Sequence, residues 1–386
     1  MENKPVKKAV IIVQLVTLLF WVLFFVILLV LKTNSDICEE WTKGFARWYE
    51  TTIGTLFKWI PFSLTEVVFL ILIILSISLL VGMIVSFCKA KPLKAVSKLL
   101  SIAIIVMSVL TVYAATAEMA YNRHALPVTI YEEKVEKTDF RTINEYFIAD
   151  LNKVTADLEF DEDGEVVSPY SLSEMNDLLE KEFERITNAY GDYFTPFTTR
   201  VKPMATSFIY RELHITGVTF MPTTEANINY LNVKALKPFT YAHEIFHTKG
   251  VMKEEDADFM ALYLMLTSEN SYFRYSGYYF SLSSLLYLAS LTGVESDYKE
   301  VMALVNNNYK LDKQYGNRYW KEHNAFADFG DWWNDLYLKL SGEKEGTKSY
   351  NDTPTDVDED THEVIKFSLY QKLYFKLYYE ANPVIE

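Results

Sequence analysis

The chain is poor in cysteine, glycine and basic charge. Two Cys in 386 residues leave no room for a disulfide framework. Only 13 Gly, with no Gly-X-Y period, exclude a collagen-like chain. Lys and Arg number 37 against 51 Asp and Glu, for a formal net charge of -14. That balance supplies no basic footprint for neutralising phosphates, so no nucleic acid is expected as a partner. A hydrophobic share of 50%, with 15% aromatic residues, excludes a disordered chain. No internal repeat is visible. The polar residues are unevenly spread: residues 1–120 are largely apolar, and residues 121–386 are polar and acidic.

Three apolar runs, 9–31, 67–88 and 99–117, are long enough to cross a bilayer. A spanning helix needs about 20 such residues for about 30 Å of hydrocarbon. Lys4, Lys7 and Lys8 precede the first run, as in a signal peptide, but its core is too long and no small-residue cleavage site follows Lys32. It reads as an uncleaved anchor. The short loop between the second and third runs holds Lys89, Lys91, Lys94 and Lys98 and no acid. By the positive-inside rule that loop and the N-terminus are cytoplasmic, and everything beyond about Arg123 is extracytoplasmic. The expectation is a multi-pass protein of the plasma membrane, with a three-helix anchor in 1–120 and an outer domain in 121–386. In the outer loop 32–63, Trp41, Phe45, Trp48, Phe57 and Trp59 recur at mostly helical spacing and read as an interfacial helix in the aromatic belt. Cys38 and Cys88 fall on opposite sides and cannot pair. The outer domain is large enough to rely on its own core. Glu66 is a lone acid at the margin of a span and offers no ionisable path, which disfavours a transporter or channel.

Within the outer domain, helical spacing of Phe140, Ile143, Phe147, Leu151 and Val154 predicts a helix over 138–158. Residues 161–165 read as a turn. Ser171 and Glu174 form a capping box that opens a helix over 171–189. Residues 217–222 and 226–230 read as short strands, with Pro222 favouring an edge or a bulge. Helices are expected over 238–249, ended by Gly250, and over 254–266, 271–291, 296–307, 332–340 and 363–379. The acidic run 352–363 reads as a solvated loop. The domain is therefore mostly helical, α+β, with a small sheet.

One motif carries chemistry: His243, Glu244, Ile245, Phe246, His247. On a helix, His at i and i+4 share a face and can hold one metal ion, and the Glu between them can act as general base toward water on that metal. A catalytic zinc site needs a third protein ligand and one open position. A His six residues after His247 would complete one known pattern, but that position is Lys253. Glu254 fits better, because Asp258 follows it by one helical turn and can orient a ligating imidazole from behind. Glu255 and Asp256 are rival third ligands. Residues 217–227 supply a candidate edge strand for pairing with a peptide substrate, through Ala226 and Asn227. Arg274, Tyr275 and Tyr278 follow the ligand helix and are candidates for stabilising an oxyanion. His124, His214, His323 and His362 are scattered and receive no role.

Several segments carry a family likeness: Lys202 to Met204, residues 217–229 (GVTFMPTTEANIN), residues 238–250 (PFTYAHEIFHTKG) and residues 253–259 (KEEDADF). Leu338, Lys339, Ser349 and Tyr350 add to it near the C-terminus. Together they resemble a bacterial family of membrane-anchored zincin-like proteins whose function is unknown, and the likeness extends over nearly the whole chain. Family members typically carry Asn where this chain has Asp258. The Glu-x-x-Ala-Asp pattern is similar, more distantly, to membrane gluzincin peptidases. The resemblance implies a zincin-like outer domain and a metallopeptidase-like site. The combined expectation is a zinc-dependent peptidase holding one Zn²⁺ through His243, His247 and Glu254, with Glu244 as base, a peptide or protein as substrate and the lipid bilayer as its setting. The alternative is a catalytically inactive zincin-like membrane scaffold or sensor. The oligomeric state is open.

Overall fold

The computed structural model describes residues 8–133, 135–292, 294, 296–341, 346–347, 356–357 and 364–383. The protein is mostly helical. Three of its helices are long and apolar enough to cross a membrane: α1 (Lys8–Leu31), α4 (Leu64–Cys88) and α5 (Pro92–Thr116). Most of their large apolar side chains face outward, with no protein around them. Helix α5 starts at Pro92 rather than at 99. Proline suits a first helical turn, whose N–H has no intrahelical partner, so Lys94 and Lys98 lie inside the helix. Gln14 of α1 donates to Ser97 O at 3.0 Å and Ser101 Oγ at 2.9 Å in α5, a polar joint between otherwise apolar helices. Lys4 and Lys7 lie outside the described residues.

The loop 32–63 differs from a simple interfacial helix. It forms α2 (Ser35–Trp41), a π-helical turn (Thr42–Ala46) and α3 (Arg47–Phe57). Trp48 and Trp59 remain exposed, but Glu39 and Glu50 are buried against the rest of the chain. Arg123 grips Glu39 with two hydrogen bonds of 2.9 Å and donates to the carbonyls of Gly250 at 3.2 Å and Tyr193 at 3.0 Å. Its guanidinium also stacks 3.8 Å from the Tyr193 ring centre. The loop is thus a joint between the apolar helices and the domain that follows. Cys38 is buried and Cys88 exposed, and both are free.

That domain runs through α6 (Lys137–Ala156), α7 (Leu172–Tyr190), β1 (Lys202–Pro203), α8 (Ser207–Glu212), β2 (Gly217–Phe220), β3 (Glu225–Ile228), α9 (Lys237–Thr248), α10 (Glu254–Leu266), α11 (Ser271–Ser290), α12 (Asp297–Leu304), α13 (Asn307–Glu322), α14 (Ala327–Ser341), β4 (Asp356–Val357), β5 (Val364–Lys366) and α15 (Leu369–Ala381). The Ser171–Glu174 capping box opens α7 as expected. Strand β3 is central, parallel to β1 and antiparallel to β2, with Asn227 opposite both Lys202 and Val218. Pro222 sits in the β2–β3 turn, outside both strands. β1 carries no sequence signal, because two residues are too short for alternation to show.

The C-terminal part departs more from expectation. The stretch 296–307 is two helices: α12 stops at Leu304, and Asn306 caps a new helix that continues to Glu322. Helix α14 is longer than 332–340. The stretch 363–379 divides into β5 and α15, because Ser368 and Gln371 build a capping box that restarts the helix. Of the acidic run 352–363, only Asp356–Val357 is described, paired with β5; the rest lies outside the described residues, as do Ser349 and Tyr350.

At the centre lies α9, buried from Pro238 to Thr248. The sheet covers one side, and α10 and α11 cover the other. Phe246 meets Phe183 of α7 with ring centres 4.7 Å apart. Glu225 of β3 ties the domain to α4. It accepts from Thr65 N at 2.7 Å, Thr65 Oγ1 at 2.8 Å and Leu64 N at 3.2 Å, and pairs with buried Lys202. Two of the N–H groups that every helix start leaves unpaired are thereby satisfied. Glu66, the next residue of α4, accepts from Ala205 N at 2.7 Å and Thr206 N at 2.9 Å ahead of α8. This lone acid near the start of α4 is a structural cap for α8.

Candidate metal centre

Two local features aim the histidines. Helix α9 places His243 and His247 one turn apart on one face. Its end is a Schellman turn: Gly250, at φ +86°, donates to His247 O at 3.1 Å, and Val251 N donates to Phe246 O at 3.1 Å. A side chain at this φ is strained, so glycine is required here. The turn reverses the chain and brings the first residues of α10 back onto α9.

The result is a convergence of three ligand atoms. His247 Nε2 lies 3.0 Å from His243 Nε2, and Glu254 Oε2 lies 3.1 Å from His243 Nε2 and 3.4 Å from His247 Nε2. Ligands bound about 2.0–2.2 Å from a tetrahedral zinc stand about 3.3 Å from one another, so the spacing fits such an ion. Behind the ligands, His243 Nδ1 meets Asp258 Oδ1 at 2.7 Å and His247 Nδ1 meets the Val251 carbonyl at 2.8 Å. Both partners are acceptors, so each neutral ring carries its proton on Nδ1 and turns the Nε2 lone pair inward. Two lone pairs and a carboxylate then face each other with no donor among them. A cation resolves that arrangement, and the donor set of two imidazoles and one carboxylate suits zinc.

The surrounding charges call for positive charge at this cluster, carried either by protons on the rings or by a cation in their place. Burial alone would lower the His243 imidazole, but the charge and hydrogen bond of Asp258, helped by Glu254, hold it well above the ordinary range. His247 is likewise raised, with Glu254 overcoming burial. Burial would raise the Glu254 carboxyl, yet the two adjacent imidazoles, His247 foremost, hold it at about 2. The cluster is therefore an ionised carboxylate with a strong demand for positive charge beside it.

Glu244 sits under the sheet. Its Oε2 accepts from Thr219 Oγ1 of β2 at 2.7 Å, and Thr219 Oγ1 also reaches its carbonyl at 2.8 Å. Burial raises its carboxyl above the ordinary range, against the pull of His243 and His247. Gly217 lies so close that a Cβ there would stand 2.4 Å from Glu244 Oε1. The close approach of β2 to α9 thus depends on glycine at 217.

The structure brings together His243, Glu244, His247, Glu254 and Asp258. Among the described residues the convergent set is His243, His247 and Glu254, and the rivals Glu255 and Asp256 are not part of it. Other sequence candidates fall elsewhere. Ala226 and Asn227 are buried in the central strand, hydrogen-bonded on both sides, with no free edge for a peptide; the edge strand over Glu244 is β2. Arg274 pairs with Asp150 at 3.1 Å, Tyr278 donates to Asp150 at 2.8 Å and Tyr275 donates to Asp312 at 2.6 Å. Helix α11 turns these three away from the cluster, since its start lies at the far end of α10. Sequence reasoning missed Thr219, the Val251 carbonyl and Tyr370, whose hydroxyl donates to Asp258 Oδ2 at 3.2 Å. Tyr370 comes from α15, and nothing local marks it.

The chain belongs to the family described as "Protein of unknown function (DUF3810)", whose profile matches residues 41–355. The match includes the joint from Trp41 onward, two of the three long apolar helices and the whole cluster. No curated protein and no solved structure matches the chain.

Proposed function

We propose that the protein is a membrane-anchored zinc metallopeptidase of zincin type, acting on a peptide or protein at the outer face of the plasma membrane. The observation that carries this reading is the convergence of His243 Nε2, His247 Nε2 and Glu254 Oε2 within 3.4 Å, each ring held from behind by an acceptor. Three protein ligands leave a position open, as catalytic zinc sites do, whereas structural zinc sites are closed by four. A zinc ion there would supply a Lewis acid that polarises a peptide carbonyl and makes water nucleophilic at neutral pH. Glu244, raised by burial and fixed by Thr219, takes the proton from the attacking water and returns it to the leaving amine. The basic loop between α4 and α5 supports a cytoplasmic placement for it, with the domain on the opposite side.

One observation favours the alternative, a non-catalytic zincin-like scaffold or sensor. His243 is 8% exposed and Glu244 5%. A peptide reaches them only when a covering element moves aside. The Glu244→Gln variant separates the readings. Under the peptidase reading it binds one zinc per chain as the parent does and loses at least about 100-fold of any peptide hydrolysis, the scale of general-base catalysis. Equal hydrolysis by parent and variant would sink the mechanism. Zinc binding by a parent that cleaves no peptide library would favour the scaffold.

A further inference from the structure

We propose that α8 and α14 form an apolar collar that lies in the outer interfacial layer of the bilayer, a second membrane contact made by the domain itself. The inference rests on reading α1, α4 and α5 as membrane spans and is independent of catalysis. Its first support is the surface of α14. Phe329, Trp332 and Trp333 are 56%, 57% and 55% exposed, and Leu336 continues their stripe at helical spacing. The opposite face is packed: Gly330 and Leu338 are buried, and a Cβ on Gly330 would stand 2.3 Å from Leu213 O. Phe208 and Ile209 of α8 are also exposed. The two helices adjoin through Glu212, which accepts from Phe326 N at 3.0 Å and Ala325 N at 3.3 Å.

The second support is position. Tyr337 of α14 meets Tyr113 of α5, hydroxyl to hydroxyl at 2.5 Å. Phe220 of β2 stacks near Phe69 of α4, ring centres 4.9 Å apart. Counting outward from Lys89 at about 1.5 Å per residue, Phe69 stands about 30 Å away, the thickness of the hydrocarbon. From Pro92, at the start of α5, Tyr113 stands about 32 Å away, at the same depth. Both contacts therefore hold the domain at the outer hydrocarbon margin. Trp settles at that depth, with its apolar body in the lipid and its N–H among the headgroups, and Phe and Leu accompany it on the apolar face of interfacial helices. Asp328, Asp331 and Asp335 beside the stripe give the helix the polar flank of an in-plane interfacial helix. A water-facing stripe of three large rings would otherwise be an unusual liability.

Spin-label accessibility in the full chain tests the collar. A background with Cys38→Ala and Cys88→Ser receives Phe208→Cys, Phe329→Cys or Trp333→Cys. Ile74→Cys on α4 serves as lipid control, and Asp163→Cys on a distant turn as water control. The chains are reconstituted in nanodiscs of phosphatidylcholine and phosphatidylglycerol. The collar labels should collide more often with oxygen than with a polar nickel chelate, as Ile74 does, with the opposite order at Asp163. A water-like result at 329 and 333 beside a lipid-like Ile74 overturns the collar and leaves the spans standing. Protection from both reagents at 329 and 333 means a protein partner or a second copy covers the face, and also overturns it. A water-like Ile74 defeats the spans, and the collar with them. Using three labelled positions keeps the test decisive if one variant fails to fold.

Discussion

Helices α4 and α9 invert each other. Helix α4 is apolar along most of its length, and most of its large apolar side chains are exposed. Helix α9 carries two His, a Glu, Lys237, Thr240, Tyr241 and Thr248, yet is buried from Pro238 onward. In water both arrangements would be costly. The first becomes favourable when the surroundings are hydrocarbon. The second is tolerable only because every buried charge meets a partner, or a cation, at short range. What a helix is solvated by, rather than its own composition, decides which side chains it can display.

The strongest break of this contrast is to strip a buried charge of its main partner. Arg123→Ala removes the partner of Glu39, whose carboxyl burial would raise but which Arg123 and Lys43 hold at about 2. Thermal and denaturant unfolding in detergent should show a loss of about 3–5 kcal/mol. A loss below about 1 kcal/mol would mean that water reaches Glu39. The mirror experiment puts a charge on α4. Ile74→Arg, near the middle of the helix, should cost about 2.5–3.5 kcal/mol of insertion and lower the membrane-integrated fraction in a glycosylation or protease-protection assay. Unchanged integration would argue that this face does not meet lipid.

Next in size is the cluster itself. Glu254→Ala should weaken zinc affinity beyond the 10–100-fold that outer partners cost, as measured by competition with a chromophoric chelator. Glu255→Ala and Asp256→Ala should leave it unchanged. If Asp256→Ala matches Glu254→Ala, the third ligand is misassigned. Chelation should lower the Tm of the parent and leave that of Glu254→Ala where it is, since only a bound ion adds to folded-state stability.

The smallest effect concerns Glu50 of α3. Burial pushes its carboxyl up to about 8, and the Thr195 hydroxyl at 2.6 Å only partly offsets this. The folded state keeps a proton that the unfolded chain has lost over the window from about 4.5 to about 8, so this group erodes stability as pH rises through that window. Glu50→Gln should therefore match the parent near pH 5 and exceed it at pH 8. A Tm gain of about 2–4 °C corresponds to roughly 1 kcal/mol for a domain of this size. A gain of the same size at pH 5 would show that titration is not the cause.

Much of the fold could be read from the chain. The three long helices announced themselves by unbroken apolar length, α7 by its capping box, and α9 and α10 by a motif and by Gly250. The elements missed were those set by distant partners. β1 exists because Lys202 and Pro203 lie beside β3, and β5 interrupts a stretch that reads as one helix. The oxyanion candidates were chosen by proximity in sequence, but α11 turns them toward Asp150 and Asp312.

The sequence by itself determined the chemistry available and its rough location: two imidazoles one turn apart, a carboxylate between them, an acidic helix start after a glycine turn, and three long apolar helices with a basic loop between two of them. Local spacing encodes these features, because helix periodicity and span length act over a few turns. Only the tertiary structure decided that Glu254, not Glu255 or Asp256, completes the cluster, that Thr219 and Gly217 fit β2 over Glu244, and that Tyr370 backs Asp258. Those outcomes depend on where separate elements pack, and packing is fixed by the shape of the whole core rather than by any one segment.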